Sequence, residues 1–256
     1  MDYDELLNFA TEVGYQLQMS GAEIYRVEES VQRILAAYGA PTGEVFAIPN
    51  CLTTSVTAPE GRPLTRIRRI GLHGTDIYRM EALNDLSRKV CTQTPPLGEA
   101  EEQLNAICRD HTAYSYPVQL FAYALGAFAF AFFFGGNLRD AVCAAVCGVV
   151  IGLSSTFMDR LKTNLFFKTF VGGCLSALVA LFLVGIGIGV NSDTIIIGAL
   201  MALVPGIAFT NAMRDIIAGD MVTGISKTAE AILIGVSIAL GTAIALVAAR
   251  FLGVAV

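Results

Sequence analysis

Residues 193–220, which read DTIIIGALMALVPGIAFTNAMRDIIAGD, are the most informative segment of the chain. After Asp193 it continues as an uncharged apolar run, which Pro205 and Gly206 then interrupt. Proline removes one helical hydrogen bond and clashes with the carbonyl group four residues earlier, and the glycine lowers the cost of a bend. At membrane depth a broken helix is tolerated only where protein or a water-filled cavity satisfies the freed backbone groups. We therefore predict a discontinuous membrane helix inside a helical bundle.

A cluster of polar side chains follows the break, beginning one helical turn further on. Thr210 lies over Arg214, and Asn211 over Asp215, at the spacing of neighbours on one helix face. A helix that starts near residue 193 and rises about 1.5 Å per residue places Thr210 about 25 Å into the membrane. Ionisable groups at that depth are costly unless they are paired or hydrated, so they indicate function.

This pattern predicts a substrate site. The half-helix that begins at Gly206 would point free N–H groups and a positive dipole end into the protein, which suits a carboxylate. The predicted substrate-binding residues are Pro205, Gly206, Thr210, Asn211, Arg214 and Asp215. An alternative stays open: Arg214 and Asp215 have already reached the membrane interface and only anchor the helix end.

The rest of the C-terminal half is also apolar. The chain has 54% hydrophobic residues and a mean hydropathy of +0.61, far above the norm for globular proteins. A span needs about 20 apolar residues. Five stretches approach that length, near 117–136, 141–157, 169–190, 194–214 and 230–250. The predicted fold class is an integral membrane α-helical bundle of about five transmembrane helices, preceded by a small cytoplasmic α+β domain.

Small residues recur at every fourth position in four of these spans. Such rows let helix backbones approach closely, which favours a compact bundle. The rows are Ala144, Gly148 and Gly152; Gly172, Ser176 and Ala180; Gly198, Ala202 and Gly206; and Gly241, Ala245 and Ala249.

Charge divides the chain near Pro117. The residues before it carry a net charge of −6 and those after it +1, so we place the domains at 1–113 and 114–256. The N-terminus lacks the basic start and apolar core of a cleavable signal. The short loops after the second and fourth spans hold five Lys or Arg residues, against two on the opposite side. Because such residues favour the cytoplasm, we expect a multi-pass inner-membrane protein with a cytoplasmic N-terminal domain and an outside C-terminus.

The first domain reads as α+β. A helix is expected from Ser20, as its cap with Glu23 three residues on, to the stop at Gly39, with a buried stripe of Val27, Val31, Ile34 and Leu35. Three strands are predicted between 44 and 70, where β-branched residues alternate, and helices follow near 75–90 and 98–110.

Polar groups in this domain offer a second possible site, formed by Glu23, Arg26, Glu28, Asn84 and Arg88. Each residue fits a solvated helix face equally well. Asp220, Lys227 and Glu230 are possible coupling residues or ion pairs; Glu230 reaches Arg214 or Lys227 in that reading. No catalytic triad, phosphate loop or metal pattern stands in the sequence, so we expect no catalytic residues, metal or cofactor. The acidic balance argues against nucleic acid.

Several motifs together resemble the threonine/serine exporter family. They are GAEIYRVEE at 21–29, NDLSR at 84–88, VPGIAFTNAMRD at 204–215, GD at 219–220 and KTAEA at 227–231. The resemblance implies an inner-membrane exporter of small hydrophilic metabolites, associated in some members with threonine and serine and in others with succinate. Chains of this length resemble the N-terminal half and imply a second, smaller multi-span membrane subunit as partner.

These observations predict a secondary-type exporter, or an exporter subunit, for small carboxylate-bearing metabolites such as an amino acid or a dicarboxylate. The chain is not expected to be an enzyme. Two alternatives remain, both acting through the N-terminal domain: a membrane-anchored enzyme, and a ligand-sensing regulatory subunit.

Overall fold

The structure is a computed structural model that describes residues 2–71, 74–110 and 114–251. Within these ranges the chain forms ten helices and one three-stranded sheet. Contacts divide it into two compact units: unit 1 is Met1–Thr112 with Phe209–Thr228, and unit 2 is Ala113–Ala208 with Ala229–Val256. Both histidines, in which the sequence showed no metal pattern, lie outside the described residues.

Unit 1 contains the sheet and the helices that cover it. Its elements before the membrane half are α1 (Tyr3–Met19), α2 (Ile24–Ala37), β1 (Glu44–Ile48), β2 (Cys51–Thr57), β3 (Pro63–Arg69), α3 (Ile77–Gln93) and α4 (Leu97–Arg109). The strands are antiparallel in the order β1-β2-β3, which confirms the three predicted strands. Their inward residues, such as Leu52 and Val56, pack with the apolar faces of α1 and α2 in one hydrophobic core.

The start of α2 differs from the prediction. Ser20 is the C-cap of α1, and its hydroxyl donates to the carbonyl oxygen of Gln16 at 2.8 Å. Gly21 then takes a positive φ of 86°, which turns the chain, so α2 begins only at Ile24 with Glu23 as its N-cap residue. The predicted cap at Ser20 is therefore wrong. The buried stripe of α2 is confirmed by Val27, Val31, Ile34 and Leu35.

In the described part of the C-terminal half, four helices are long and apolar enough to cross a membrane. These are α5 (Tyr116–Phe133), α6 (Leu138–Arg160), α7 (Leu165–Gly185) and α10 (Met221–Phe251). The predicted span at 194–214 is instead two short helices, α8 (Ser192–Leu200) and α9 (Gly206–Ala218). At about 1.5 Å per residue they measure about 14 and 20 Å, less than the roughly 30 Å of hydrocarbon.

The interruption lies where the sequence placed it, because helical structure stops after Leu200 and resumes at Gly206. The contacts of the residues after this interruption differ from the prediction. Residues from Phe209 to Thr228, expected in the membrane domain, group with the N-terminal residues in unit 1.

Small residues bring the helices of unit 2 close together. A Cβ atom placed on Gly148 would lie 2.4 Å from the carbonyl oxygen of Tyr123, and one on Gly241 would lie 2.2 Å from that of Phe170. Three of the four predicted rows are buried along their length. The row of Gly198, Ala202 and Gly206 is the exception: only its first member packs, because α8 ends before the exposed other two.

Candidate functional site

Asp215 is the centre of a buried charge network in unit 1. Its side chain is fully buried. Oδ1 accepts a hydrogen bond from the backbone N–H of Ile24 at 3.3 Å, and Oδ2 accepts one from Nζ of Lys227 at 2.8 Å. A buried carboxylate is tolerated only when it is paired and hydrogen-bonded. Both oxygens meet this requirement. Asp215 therefore ties α9 to the start of α2 and to the start of α10.

Glu23 forms the second part of this network. It is 4% exposed, and its carboxylate oxygens lie 3.0 Å from Nη1 of Arg214 and 3.3 Å from Nη1 of Arg26. Burial alone raises the pKa of Glu23. Its own backbone N–H and the two guanidinium groups outweigh burial, so the pKa lies below its ordinary value of 4.5. Glu23 is therefore held as an anion at neutral pH.

A tight turn between α9 and α10 brings these groups together. Gly219 has a φ of 103°, and the N–H of Asp220 donates to the carbonyl oxygen of Asp215 at 2.9 Å. Gly224 allows the start of α10 to pass close to α9, since a Cβ at that position would lie 2.3 Å from Cγ1 of Ile216. The returning helix then places Lys227 beside Asp215.

Two further carboxylates lie near this turn. Burial raises the pKa of Asp220 above 3.8, the charge of Asp215 raises it further, and Lys227 opposes both. Burial also raises the pKa of Glu28, although its Oε1 accepts the N–H of Ala47 at 2.7 Å. The negative charge of Asp220 adds to this rise. Unit 1 therefore holds two half-buried carboxyl groups that bind protons more tightly than usual.

The structure brings together only some of the predicted site residues. Glu23, Arg26, Arg214, Asp215 and Lys227 form one network. On α9, Thr210 is exposed and Asn211 half-buried, and Pro205 and Gly206 precede or begin the same helix.

Other predicted residues lie elsewhere or pair differently. The suggested pairing of Glu230 with Arg214 or Lys227 is replaced by the pairs of Arg214 with Glu23 and of Lys227 with Asp215, while Glu230 is exposed on α10. On α3, Asn84 is half-buried, and Arg88 is exposed and lies 3.5 Å from Asp85.

Two polar groups of structural importance were missed by the sequence reasoning. The backbone N–H of Ile24 had no side-chain signal to mark it. Asp140 is buried in unit 2, where Oδ1 accepts the N–H groups of Val190 and Asn191 at 2.7 and 3.1 Å. An Asn three residues before it, at 137, forms a capping box with Asp140 and was the available signal.

Unit 1 also holds a cleft of about 540 Å³. Its lining includes Arg66 and Arg68 of β3, Glu12 of α1, and Glu101 and Asn105 of α4. Both arginines are fixed by acidic partners in α1, Arg66 by Asp4 at 2.7 Å and Arg68 by Glu12. Among the described residues, no cluster of His, Cys, Asp or Glu is suited to hold a metal ion.

Four membrane-length apolar helices joined to a charged α+β unit define a multi-pass membrane protein. A model of the family described as "Putative threonine/serine exporter" matches residues 8–248. The chain belongs to this family, which is one of exporters and not of enzymes. The resemblance found in the sequence motifs is therefore confirmed.

Two relatives show how the chain compares with longer members. It is 23% identical to the "Threonine/serine exporter" of Corynebacterium glutamicum over 89% of this chain and 48% of that protein. It is also 23% identical to the "Probable threonine/serine exporter" of Mycobacterium tuberculosis over 94% of this chain and 46% of that protein. The chain thus spans about half the length of these relatives. No solved structure matched it.

Proposed function

We propose that this chain is a secondary-type exporter, or one subunit of such an exporter, for small carboxylate-bearing metabolites. Threonine, serine and succinate are the substrates to test first, because the relatives are named for threonine and serine and all three carry a carboxylate. The proposal includes an inner-membrane location with residues 1–113 in the cytoplasm and the C-terminus outside. An outside C-terminus requires the chain from α8 to the start of α9 to cross the membrane once, in addition to the four long helices. Family membership and the four apolar helices support the membrane location.

The observation that carries this proposal is that the Arg214 side chain is both accessible and held in place. Its side chain is 60% exposed, yet Nη1 is anchored 3.0 Å from the buried Glu23 carboxylate. A guanidinium group has five N–H donors in a rigid fork, so one bond to Glu23 leaves donors for a substrate carboxylate. A positioned, accessible cation of this kind is what recognition of a small carboxylate requires.

The other predicted residues then take different roles. Asp215 positions α9, because both of its oxygens are already occupied within the protein. Thr210 and Asn211 lie one turn before Arg214 on α9 and would supply polar contacts to the substrate. Pro205 and Gly206 separate α9 from α8 and so allow α9 to take its own position.

Asp220 is our proposed coupling residue. Its raised pKa brings its proton binding closer to physiological pH, and Lys227 and Glu28 lie in its electrostatic surroundings. Protonation of Asp220 would weaken its attraction to Lys227 and leave that ammonium group to Asp215 alone. The exchange of a proton would thereby alter the network that positions Arg214.

A second, smaller multi-span membrane subunit completes the proposal. Transporters commonly form their substrate site between two related halves, and this chain covers about half of the relatives it matches. Co-purification of a co-expressed candidate subunit with this chain would support the partnership. Full transport activity by this chain alone would exclude a requirement for it.

Substitution of Arg214 tests the site directly. Arg214→Gln keeps a polar side chain but shortens it and removes the charge, and Arg26→Gln is a matched control because Arg26 also binds Glu23. We expect proteoliposomes with Arg214→Gln to lose at least about tenfold in efflux, since a charge-assisted hydrogen bond contributes about 1.5–3 kcal/mol. Arg26→Gln should keep most of the activity. Equal activity of both variants and wild type would refute the site.

The cleft in unit 1 favours a second candidate function, ligand sensing by the N-terminal unit. Guanidinium groups of β3 line it together with Glu12 and Glu101, an arrangement that matches the opposite charges of a free amino acid. Binding of labelled threonine to the full chain in detergent would test this. Sensing predicts loss of binding in Arg68→Ala but not in Arg69→Ala, which alters the exposed neighbour on the same strand. Unchanged binding in Arg68→Ala would refute it.

A further inference from the structure

α9 carries an exposed apolar stripe that the proposed function does not use. Phe209, Met213 and Ile217 follow one another at four-residue intervals, and all are exposed, Ile217 by 82%. Residues four apart lie on one helix face. Met213 stands two residues before the buried Asp215, which puts the two about 160° apart around the helix. The stripe therefore faces away from the interior of unit 1.

The apolar surface continues past the turn into α10. Met221, Val222 and Ile225 are exposed on its first two turns. These turns group with unit 1, although the same helix goes on as a membrane-length apolar segment. The opposite side of the hairpin holds the polar network of Asp215 and Lys227. One side of the hairpin is thus polar and bound to protein, and the other is apolar and uncovered.

Helix lengths indicate the depth of this hairpin. α10 has 31 residues and is about 46 Å long, whereas about 20 residues cross the hydrocarbon. The surplus of about 11 residues accommodates the turns from Met221 to Thr228 outside the hydrocarbon. α9 is too short to cross at all. The start of α10 therefore has room to lie outside the hydrocarbon, at the level of the lipid headgroups.

We propose that α9 and the first two turns of α10 form an interfacial hairpin whose apolar side rests in the lipid surface. Phe209, Met213 and Ile217 would enter the boundary between headgroups and acyl chains, as the apolar face of an interfacial helix does. The occupant is lipid because this surface runs without interruption into a helix of membrane-spanning length and composition. This inference does not depend on what the protein transports.

The same arrangement gives Arg214 a suitable place. It is exposed and follows Met213 by one residue, so it projects about 100° around α9 from the centre of the stripe. Arginine at the edge of an interfacial helix keeps its charged end in the headgroup layer. The hairpin would then hold the Arg214 guanidinium at the membrane surface.

Tryptophan fluorescence provides a direct test, because the chain contains no tryptophan. We would make Met213→Trp and Ile217→Trp in the full chain and reconstitute each into vesicles with brominated lipids. Phe46→Trp on the exposed side of β1 is the aqueous control, and Ile244→Trp on an exposed face of α10 is the membrane control. Each replaced residue is a large exposed apolar side chain, so the substitutions should leave the fold intact.

The proposal predicts a graded pattern. Lipids brominated near the headgroup should quench Met213→Trp and Ile217→Trp, those brominated deep in the chain should quench Ile244→Trp, and aqueous iodide should quench Phe46→Trp. Iodide quenching of Ile217→Trp without lipid quenching would place the hairpin in water and overturn the proposal. Protection of that tryptophan from both quenchers would show that protein covers the stripe, and would overturn it as well.

Discussion

Removal of the Lys227 charge should release α9 from its position. In the structure Lys227 is 17% exposed and lies 2.8 Å from the fully buried Asp215. Breaking a buried ion pair from one side costs about 3–5 kcal/mol, because the remaining charge is left uncompensated. The N–H of Ile24 still contacts Asp215, so we expect the lower end, about 3 kcal/mol, for Lys227→Met.

Hydrogen exchange of the full chain in detergent measures this effect locally. A loss of about 3 kcal/mol in the free energy of opening corresponds to about a 100-fold faster exchange of the amides of α9. The control is Lys168→Met, which removes a similar pair at 2.7 Å whose partner Asp159 is 61% exposed. Exposed pairs contribute no more than about 1 kcal/mol, so exchange near Lys168 should change less than tenfold.

The double variant Lys227→Met with Asp215→Leu checks the cause. Replacing both members of a buried pair by apolar groups is often nearly neutral, apart from the Ile24 N–H that loses its acceptor, which costs about 1–3 kcal/mol. The double variant should thus be less destabilised than the two single effects added together. Wild-type exchange of α9 in Lys227→Met, or strict additivity, would refute the account of the network.

Two further predictions concern helix packing and pH. Gly241→Ala should lower the melting temperature in detergent through an overpacking cost of about 1–3 kcal/mol, since its Cβ would meet the carbonyl oxygen of Phe170; Gly235→Ala, on the same helix with nothing within 4 Å, should not. An Asp220 carboxyl with a raised pKa stabilises the fold below its ordinary value of 3.8, and that contribution is lost as the pH rises through the folded pKa. Asp220→Asn removes this titration, so the stability of Asp220→Asn minus that of wild type should be larger at pH 7 than below pH 3.8. Equal pH profiles of the two proteins in thermal unfolding would contradict this.

Elements with strong local patterns were predicted well. In the three strands, alternating residues indicate which side faces the core, and in α2 the helical spacing of apolar residues does the same. The strands and the buried stripe of α2 appear in the structure as predicted. The start of α2 was misplaced because a serine with a glutamate three residues later fits a capping box, while the same serine also fits a helix end before Gly21. Only the positive φ of Gly21 distinguishes the two.

The candidate site could be predicted only in part. Pro205 and Gly206 disturb the helix locally, so the break was visible in the sequence. The partners of Arg214 and Asp215 were not visible, because the contact of Asp215 with Ile24 joins residues 191 positions apart. Without that contact, an apolar run of suitable length is read as a span. In the structure, α9 pairs with Glu23 and Ile24 instead, and from Phe209 onward it groups with unit 1.

Efflux from proteoliposomes tests the proposed export activity most directly. Vesicles loaded with labelled threonine, serine or succinate would contain the chain alone, the chain with a candidate second subunit, or the second subunit alone. We predict saturable efflux of at least one of these carboxylates whenever this chain is present in its complete assembly, and none from the second subunit alone. Absence of efflux for all three from correctly inserted protein, or full efflux from the second subunit by itself, would contradict the proposal.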